Sequence, residues 1–389
     1  MKRILCIVLL LAALSPVRLY AEEKILTIIG DSRATELGDG SSIKSATANG
    51  VTVLDQADVE GNIRNSSVPG STSENWLSIL PILAQNKSHA TFISIGGNDV
   101  RDLYGFLEYY KHIHTVQQGL YFMWVVEVQT DFIASRTRRI VQTILNADPN
   151  NKVLLNDVAP VIDYKTKEWR WQFFYTANYM LSILGRKYQN MIVDSLQTQY
   201  GDRVQMLATY QEFLDNILNG GASYYDIGAL TDFVHFGPQG VEAWGKMVAI
   251  RLGALGWYQL NGGMCSAEDT APPVIRVPEN GILQGWTVFP VDIPLAVDFQ
   301  VRDDGQLLEV TGANLVEVNG NTRTYRIDLH SIQAVSGAGS YEKRITATDM
   351  CGKRTQYVFR YDNQLTGVLK VYYWLWWYQY TISYSFVPL

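Results

Sequence analysis

From Lys24 to about Gly262, short β-branched apolar runs alternate with longer stretches of helical periodicity. That alternation leaves few folds open, because strands that are apolar on both faces and separated by helices form a parallel sheet covered on both sides. The runs Ile25–Ile29, Thr91–Ile95, Lys152–Asn156 and Val204–Leu207 are predicted strands, with a further one near Val51–Leu54. Residues 170–199 and Gly240–Gly256 are predicted helices, the latter with Val241, Trp244, Val248 and Leu252 on one face. Ser71 or Ser73 is placed to cap a helix running through Leu77, Leu80 and Leu83. Ser135–Leu145 reads as a basic amphipathic helix. Residues 102–135, rich in Tyr, Phe and Trp, are longer than a connection requires. They form either a lid beside a ligand site or an extra helical pair on the sheet.

The texture changes at Gly262. A linker-like run, Gly-Gly-Met-Cys-Ser-Ala-Glu-Asp-Thr-Ala-Pro-Pro273, opens a series of short alternating strands punctuated by Gly, Asp and Asn, the pattern of a β-sandwich over residues 263–364. Asp269-Thr-Ala-Pro-Pro-Val-Ile and Ala347-Thr-Asp-Met-Cys-Gly-Lys353 resemble bacterial immunoglobulin-like repeats attached to secreted enzymes. The tail, residues 365–389, is aromatic and carries no charge from Val371 onward. It is too polar for a spanning helix and reads as an aromatic hairpin, resting on the sandwich, a sugar surface or a membrane interface.

Residues 1–21 read as a cleaved signal peptide: Lys2 and Arg3, an apolar run from Ile4 to Leu14, then Ala21. Cys6 leaves with it, and an exported chain is expected, whether periplasmic, cell-surface or extracellular. Cys265 and Cys351 then form an even pair in a compartment where disulfides persist, and are predicted to bond, contributing about 4 kcal/mol by loop closure. Two free thiols are the alternative. The net charge of −6, with scattered basic residues, lacks the footprint of a nucleic-acid binder. His112 and His114 stand two apart without a third ligand cluster, so no metal and no cofactor is expected.

The first strand ends in Gly30-Asp31-Ser32, which delivers a serine to the mouth of the sheet. A serine hydroxyl needs a base within hydrogen-bond reach and a third group to orient that base. Thr231-Asp-Phe-Val-His235 supplies both, since Asp232 precedes His235 by three residues and the chain holds only five histidines. An oxyanion needs preorganised donors. The Ser32 amide, the backbone N–H of Gly70 after Val68-Pro69, and the side-chain amide of Asn98 in Gly96-Gly-Asn-Asp99 are candidates. Each taken singly is an ordinary turn residue, but Gly70 and Asn98 follow strand or loop signals on the carboxyl edge where Ser32 lies, the edge at which open α/β sheets bind ligands.

These four blocks, in order, resemble those of the SGNH, or GDSL, hydrolases, over about residues 24–256. The resemblance implies a flavodoxin-like three-layer α/β/α domain within residues 22–262, Ser32 as nucleophile, Asp232 and His235 completing a triad, and Ser32, Gly70 and Asn98 as oxyanion donors. It also implies an ester substrate, an acylated glycan or a lipid. A carbohydrate O-acetyl or short-acyl esterase is the leading expectation. Lipase, lysophospholipase or O-acyltransferase activity on the same triad, or a non-catalytic surface-binding protein, are the alternatives. Contact with a cell surface or membrane interface would run through the C-terminal domain and tail. Arg33 stands where the family often has Leu, and with residues 102–135 it marks the expected seat of substrate choice.

Overall fold

Strands buried on both faces can hydrogen-bond only within a sheet and pack only against layers above and below it, and the strands described between residues 24 and 260 do both. In the computed structural model, five parallel strands, β1 (Leu26–Gly30), β2 (Ile63–Asn65), β3 (Ala90–Ser94), β4 (Val153–Asn156) and β5 (Val204–Leu207), lie in the order β2-β1-β3-β4-β5. This is the flavodoxin-like 2-1-3-4-5 arrangement, whose strand order reverses between β1 and β3. The structure describes residues 24–85, 87–107, 116–161, 168–220, 223–225, 235–265, 269–289, 296–303, 307–328, 339–372 and 375–389. The signal segment 1–21, Cys6, His112, His114 and Asp232 lie outside the described residues.

Successive strand residues point to opposite faces, and the two cores divide accordingly. Ile29, Ile93, Val153 and Leu155 join the helices of residues 116–147 and 168–191. Leu26, Ile28, Phe92 and Leu154 join Trp244, Val248 and Leu252 of the terminal helix, Pro238–Ala254. The second strand of the sheet is Ile63–Asn65, not the one expected near Val51–Leu54. Val51–Thr52 pairs instead with Thr47–Ala48 in a two-stranded ribbon. Ile-Arg-Asn is a short edge strand, half polar because one side faces solvent, and carries no apolar run.

Of residues 102–135, the described ones, 102–107 and 116–135, are helical. The stretch Val116–Ala147 is one helix of 32 residues. Its Thr137 hydroxyl meets the Tyr188 hydroxyl, 3.1 Å away, which in turn donates to the Ile95 carbonyl just past β3. Residue 137 is therefore level with the carboxyl ends of the strands, and the roughly twenty residues before it, about 30 Å of helix, stand beyond that edge. They pack against Glu168–Met191, with Val125, Val126 and Ile133 buried and Lys187 bridging Glu127 and Asp131 at 2.6 and 2.5 Å. The described parts of the stretch are thus helical, with the helix of residues 116–147 packed on that of residues 168–191.

The C-terminal part forms two antiparallel sheets. One holds Val274–Arg276, Ala296–Arg302, Asn314–Asn319 and Thr322–Asp328. The other holds Gly281–Phe289, Leu307–Thr311, Gly339–Asp349, Arg354–Tyr372 and Leu375–Pro388. Ile275, Val297, Phe299, Val301 and Ile327 of the first face Leu307, Ile345, Ala347, Phe359 and Phe386 of the second in one core, which makes a sandwich. The tail belongs to it: Leu375–Pro388 pairs with Arg354–Tyr372 on one side and Gly281–Phe289 on the other. Cys265 and Cys351 are bonded, with Cα atoms 4.5 Å apart, closing 86 residues of sequence. Among the described residues, no helix is long and apolar enough to cross a membrane.

Candidate active site

Three of the sequence blocks interlock at the carboxyl ends of β1, β2 and β3. Gly30 ends β1 against the third strand so closely that a Cβ there would lie 2.2 Å from the Ser94 carbonyl oxygen. No other residue fits that approach. Asp31 then caps the short helix Ser32–Glu36, accepting from the Arg33 amide at 3.1 Å. Ser32 is the first residue of that helix, so its own N–H has no intrahelical partner and remains available as a donor. Asp31 is buried, and burial raises its carboxyl above the ordinary value while the neighbouring Arg33 charge lowers it.

The second block is tied onto β1. The Ser66 amide donates to the Ile28 carbonyl at 2.8 Å, the Val68 amide to the Gly30 carbonyl at 3.0 Å, and the Asn65 side chain to the Ala34 carbonyl at 2.8 Å. Gly70 has φ of +77°, and a Cβ on it would meet nothing within 4 Å. The residue is glycine because of its left-handed backbone and not because space is short. Ser71 donates to the Gly30 carbonyl at 3.0 Å and accepts from the Trp76 indole at 2.9 Å.

The cap expected from Ser71 or Ser73 is provided by Thr72, in a reciprocal arrangement with Asn75. Both serines are otherwise engaged. Ser73 donates its amide and hydroxyl to the two oxygens of Asp99, at 2.8 and 2.5 Å. Asp99 is itself buried, which raises its carboxyl, while the Ser73 hydrogen bonds lower it.

The third block completes the lock. Asn98 is buried and donates one side-chain N–H to the Ser71 carbonyl at 3.0 Å, which fixes the orientation of an amide that has two N–H groups. A Cβ on Gly97 would approach the Asp31 carboxylate to 2.9 Å. Ser32, Gly70 and Asn98 thus stand on one edge of the sheet, at the point where the strand order reverses.

His235 comes to this edge from the other end of the domain. It is partly exposed, and its Nε2 lies 3.8 Å from Oε1 of Glu36, one helical turn after Ser32. Phe236 next to it is held in place by several contacts. Its amide donates to Glu36 Oε2 at 3.1 Å, it bridges to Tyr225, and its ring packs on Phe213 with centroids 4.5 Å apart. Gly240, where a Cβ would meet the Tyr224 carbonyl at 2.0 Å, lets the terminal helix start immediately behind the histidine.

Arg33 does not face the mouth of the site. It is 3% exposed, and its guanidinium donates to the Ala159 and Pro160 carbonyls at 2.5 and 3.1 Å and sits 5.1 Å from the centre of the Phe236 ring. The expectation that it sets substrate choice is corrected: it braces the serine helix to the loop after β4 and to the neighbour of His235. Glu36 is the residue that sequence reasoning missed. The one signal available was its position four residues after the serine, on the same face of that helix.

Among the described residues, one group of metal-ligand type is found, Asp269, Asp349 and Cys351, in the sandwich. Cys351 is in the disulfide, and Asp269 is paired with Lys353 at 3.1 Å.

No protein-family model matches the sequence, and no curated protein matches it. Among solved structures, the chain is similar to the lipase Lip_vut3 from a goat rumen metagenome, at 15% identity over 61% of this chain and 100% of that one, with a TM-score of 0.39. It is similar to an extracellular lipase from Streptomyces rimosus, at 13% identity over 59% of this chain and 98% of that one, TM-score 0.38. A third is the carbohydrate acetylesterase Est24 from Sinorhizobium meliloti, at 14% identity over 60% of this chain and 99% of that one, TM-score 0.36. At such identities and scores the likeness carries no chemistry over to this chain, whose own residues have to supply it.

Proposed function

We propose that the chain is an exported SGNH-type serine hydrolase of carboxylic esters. The observation that supports it most is the interlocking of the Gly30–Ser32, Ser66–Ser71 and Gly96–Asp99 segments at the strand-order reversal, with His235 beside the helix that Ser32 opens.

In this reading the Ser32 Oγ attacks the ester carbonyl carbon as its proton passes to His235, and Asp232 orients the imidazole. The carbonyl oxygen, now negative, is held by the N–H groups of Ser32, Gly70 and Asn98, each typically worth about 3 kcal/mol of barrier. Collapse breaks the carbon–oxygen bond of the ester, and the alcohol leaves with the proton from His235. Water, deprotonated by the same histidine, then releases the acid and restores Ser32. No step calls for a metal or cofactor.

The substrate we favour is a carbohydrate O-acetyl or short-acyl ester. A lipid ester is the second reading, favoured by Tyr121, Trp124 and Phe132, which are 45%, 59% and 55% exposed on the helix standing beyond the catalytic edge. The purified mature chain should release nitrophenol from short nitrophenyl esters, and Ser32→Ala should not. Equal rates would refute the proposal. A panel running from acetylated xylan to phospholipid separates the two substrate classes.

A further inference from the structure

The helix that begins at Ser32 ends at Glu36, and this carboxylate reaches the histidine-bearing segment twice. Oε2 accepts the Phe236 amide at 3.1 Å, and Oε1 stands 3.8 Å from His235 Nε2. The first is a hydrogen bond; the second is too long for one and is a contact between a carboxylate and a ring nitrogen. Glu36 is 17% exposed, so water competes little for either oxygen. Its backbone is fixed by the same short helix that fixes Ser32. The segment it holds has its other side fixed by the Tyr225 bridge and by the Gly237 amide, which donates to the Tyr224 carbonyl at 2.9 Å. A rotation or slide of residues 235–236 relative to the serine would have to break the Glu36 hydrogen bond.

We propose that Glu36 is a positioning residue: through the Phe236 amide it sets the register of the His235 segment against the helix carrying Ser32. The inference rests on the reading of His235 as the base that serves Ser32. It assigns a role to a residue outside the four blocks, and it makes the five-residue helix a common mount for nucleophile and base. A displacement of about 1 Å between reacting groups costs on the order of 100-fold in rate, so the effect should be on kcat and not on KM.

The test compares the wild type with Glu36→Ala, Glu36→Gln and Ser32→Ala on nitrophenyl acetate, alongside histidine-selective NMR and thermal unfolding of each. Glutamine keeps an oxygen for the Phe236 amide, whereas alanine removes it. Expected are a 10- to 100-fold fall in kcat for Glu36→Ala, on the order set by such misplacement, with KM little changed, and recovery of most of the loss in Glu36→Gln. The His235 ring resonances should move in the alanine variant and return in the glutamine variant. Wild-type kcat in Glu36→Ala, or equal loss in both variants, overturns the proposal.

If the wild type hydrolyses no faster than Ser32→Ala, the esterase reading fails separately. The positioning role is then decided by the His235 resonances, and an unmoved spectrum in Glu36→Ala overturns it. Should the alanine variant not fold, Glu36→Asp withdraws the oxygen by one methylene while keeping the charge, and is expected to show the same loss.

Discussion

Replacing Arg33 by leucine, the residue the SGNH resemblance leads one to expect there, tests whether this side chain is structural. The guanidinium makes two charge-assisted hydrogen bonds, to Ala159 and Pro160, and lies over the Phe236 ring. Each such bond is worth about 1.5–3 kcal/mol, and the ring contact about 1 kcal/mol when partly desolvated. Leucine regains about 1.5–3 kcal/mol by its own burial. The Pro160 carbonyl keeps a donor, since the Tyr225 hydroxyl reaches it at 2.7 Å. The Ala159 carbonyl loses the Arg33 donor, and the Asp31 carboxyl, which the Arg33 charge lowers, moves further up. The balance is a loss of about 3 kcal/mol, of the size usual for breaking a buried hydrogen-bonded network. Urea unfolding at pH 7 would show it as a lower midpoint with an unchanged slope. A loss under about 1 kcal/mol, combined with an altered preference among acyl esters, would return Arg33 to the substrate pocket and refute the bracing account.

Two further perturbations follow from the same contacts. Gly30→Ala puts a methyl group 2.2 Å from a backbone oxygen, and should cost about 3 kcal/mol or prevent folding. Gly262→Ala, with nothing within 4 Å, is the control whose midpoint should stay put, and equal midpoints for both would refute the clash. Asp157 accepts from the Thr209 amide and hydroxyl and from the Tyr210 amide at 2.6, 2.5 and 3.1 Å. Burial nevertheless pushes its carboxyl from 3.8 up to about 6. The folded state then holds this proton more tightly than the unfolded chain does. Stability from this group is therefore present below about pH 4 and is lost as pH rises through about 6, by about 3 kcal/mol in all. Asp157→Asn should remove that pH dependence from the unfolding free energy, and an unchanged difference between variant and wild type across pH 4–7 would count against it.

What could be read from the chain in advance was what repeats or stands in a run. Leu26–Gly30 and Ala90–Ser94 are buried at every position, so burial imposes an apolar sequence that announces a strand. Ile63–Asn65 lies at the sheet's edge, needs only one apolar face, and looks like loop. In the sandwich, the pairings of Gly281–Phe289 and Leu307–Thr311 join residues far apart in sequence, which a local pattern does not carry. The partner of the first, Leu375–Pro388, is about ninety residues further on. The placement of Ser32, Gly70 and Asn98 at one edge of the sheet was legible through the glycines and turns around them. Thr72 displaced its neighbours as the helix cap because Asp99 and Gly30 claim Ser73 and Ser71. The roles of Arg33 and Glu36 were hidden for a common reason: both act on residues more than a hundred positions away, and a single sequence carries no sign of such contacts.

The terminal helix, Pro238–Ala254, spans about 25 Å. It starts beside His235, and near its far end Arg251 bonds Glu309 of the sandwich at 3.1 Å and the Met206 carbonyl at 3.1 Å. Beyond it, Trp257 and Tyr258 bond His89 and Lys24, residues that lead into β3 and β1. The sandwich, which also sends Leu308 and Met350 into the core built around Trp244 and Leu252, is therefore mounted at the amino ends of the strands. The molecule therefore has two poles, the Ser32 edge at one and the sandwich at the other. A ligand held by the sandwich would sit at the pole away from Ser32. The two are kept apart by the length of a single helix.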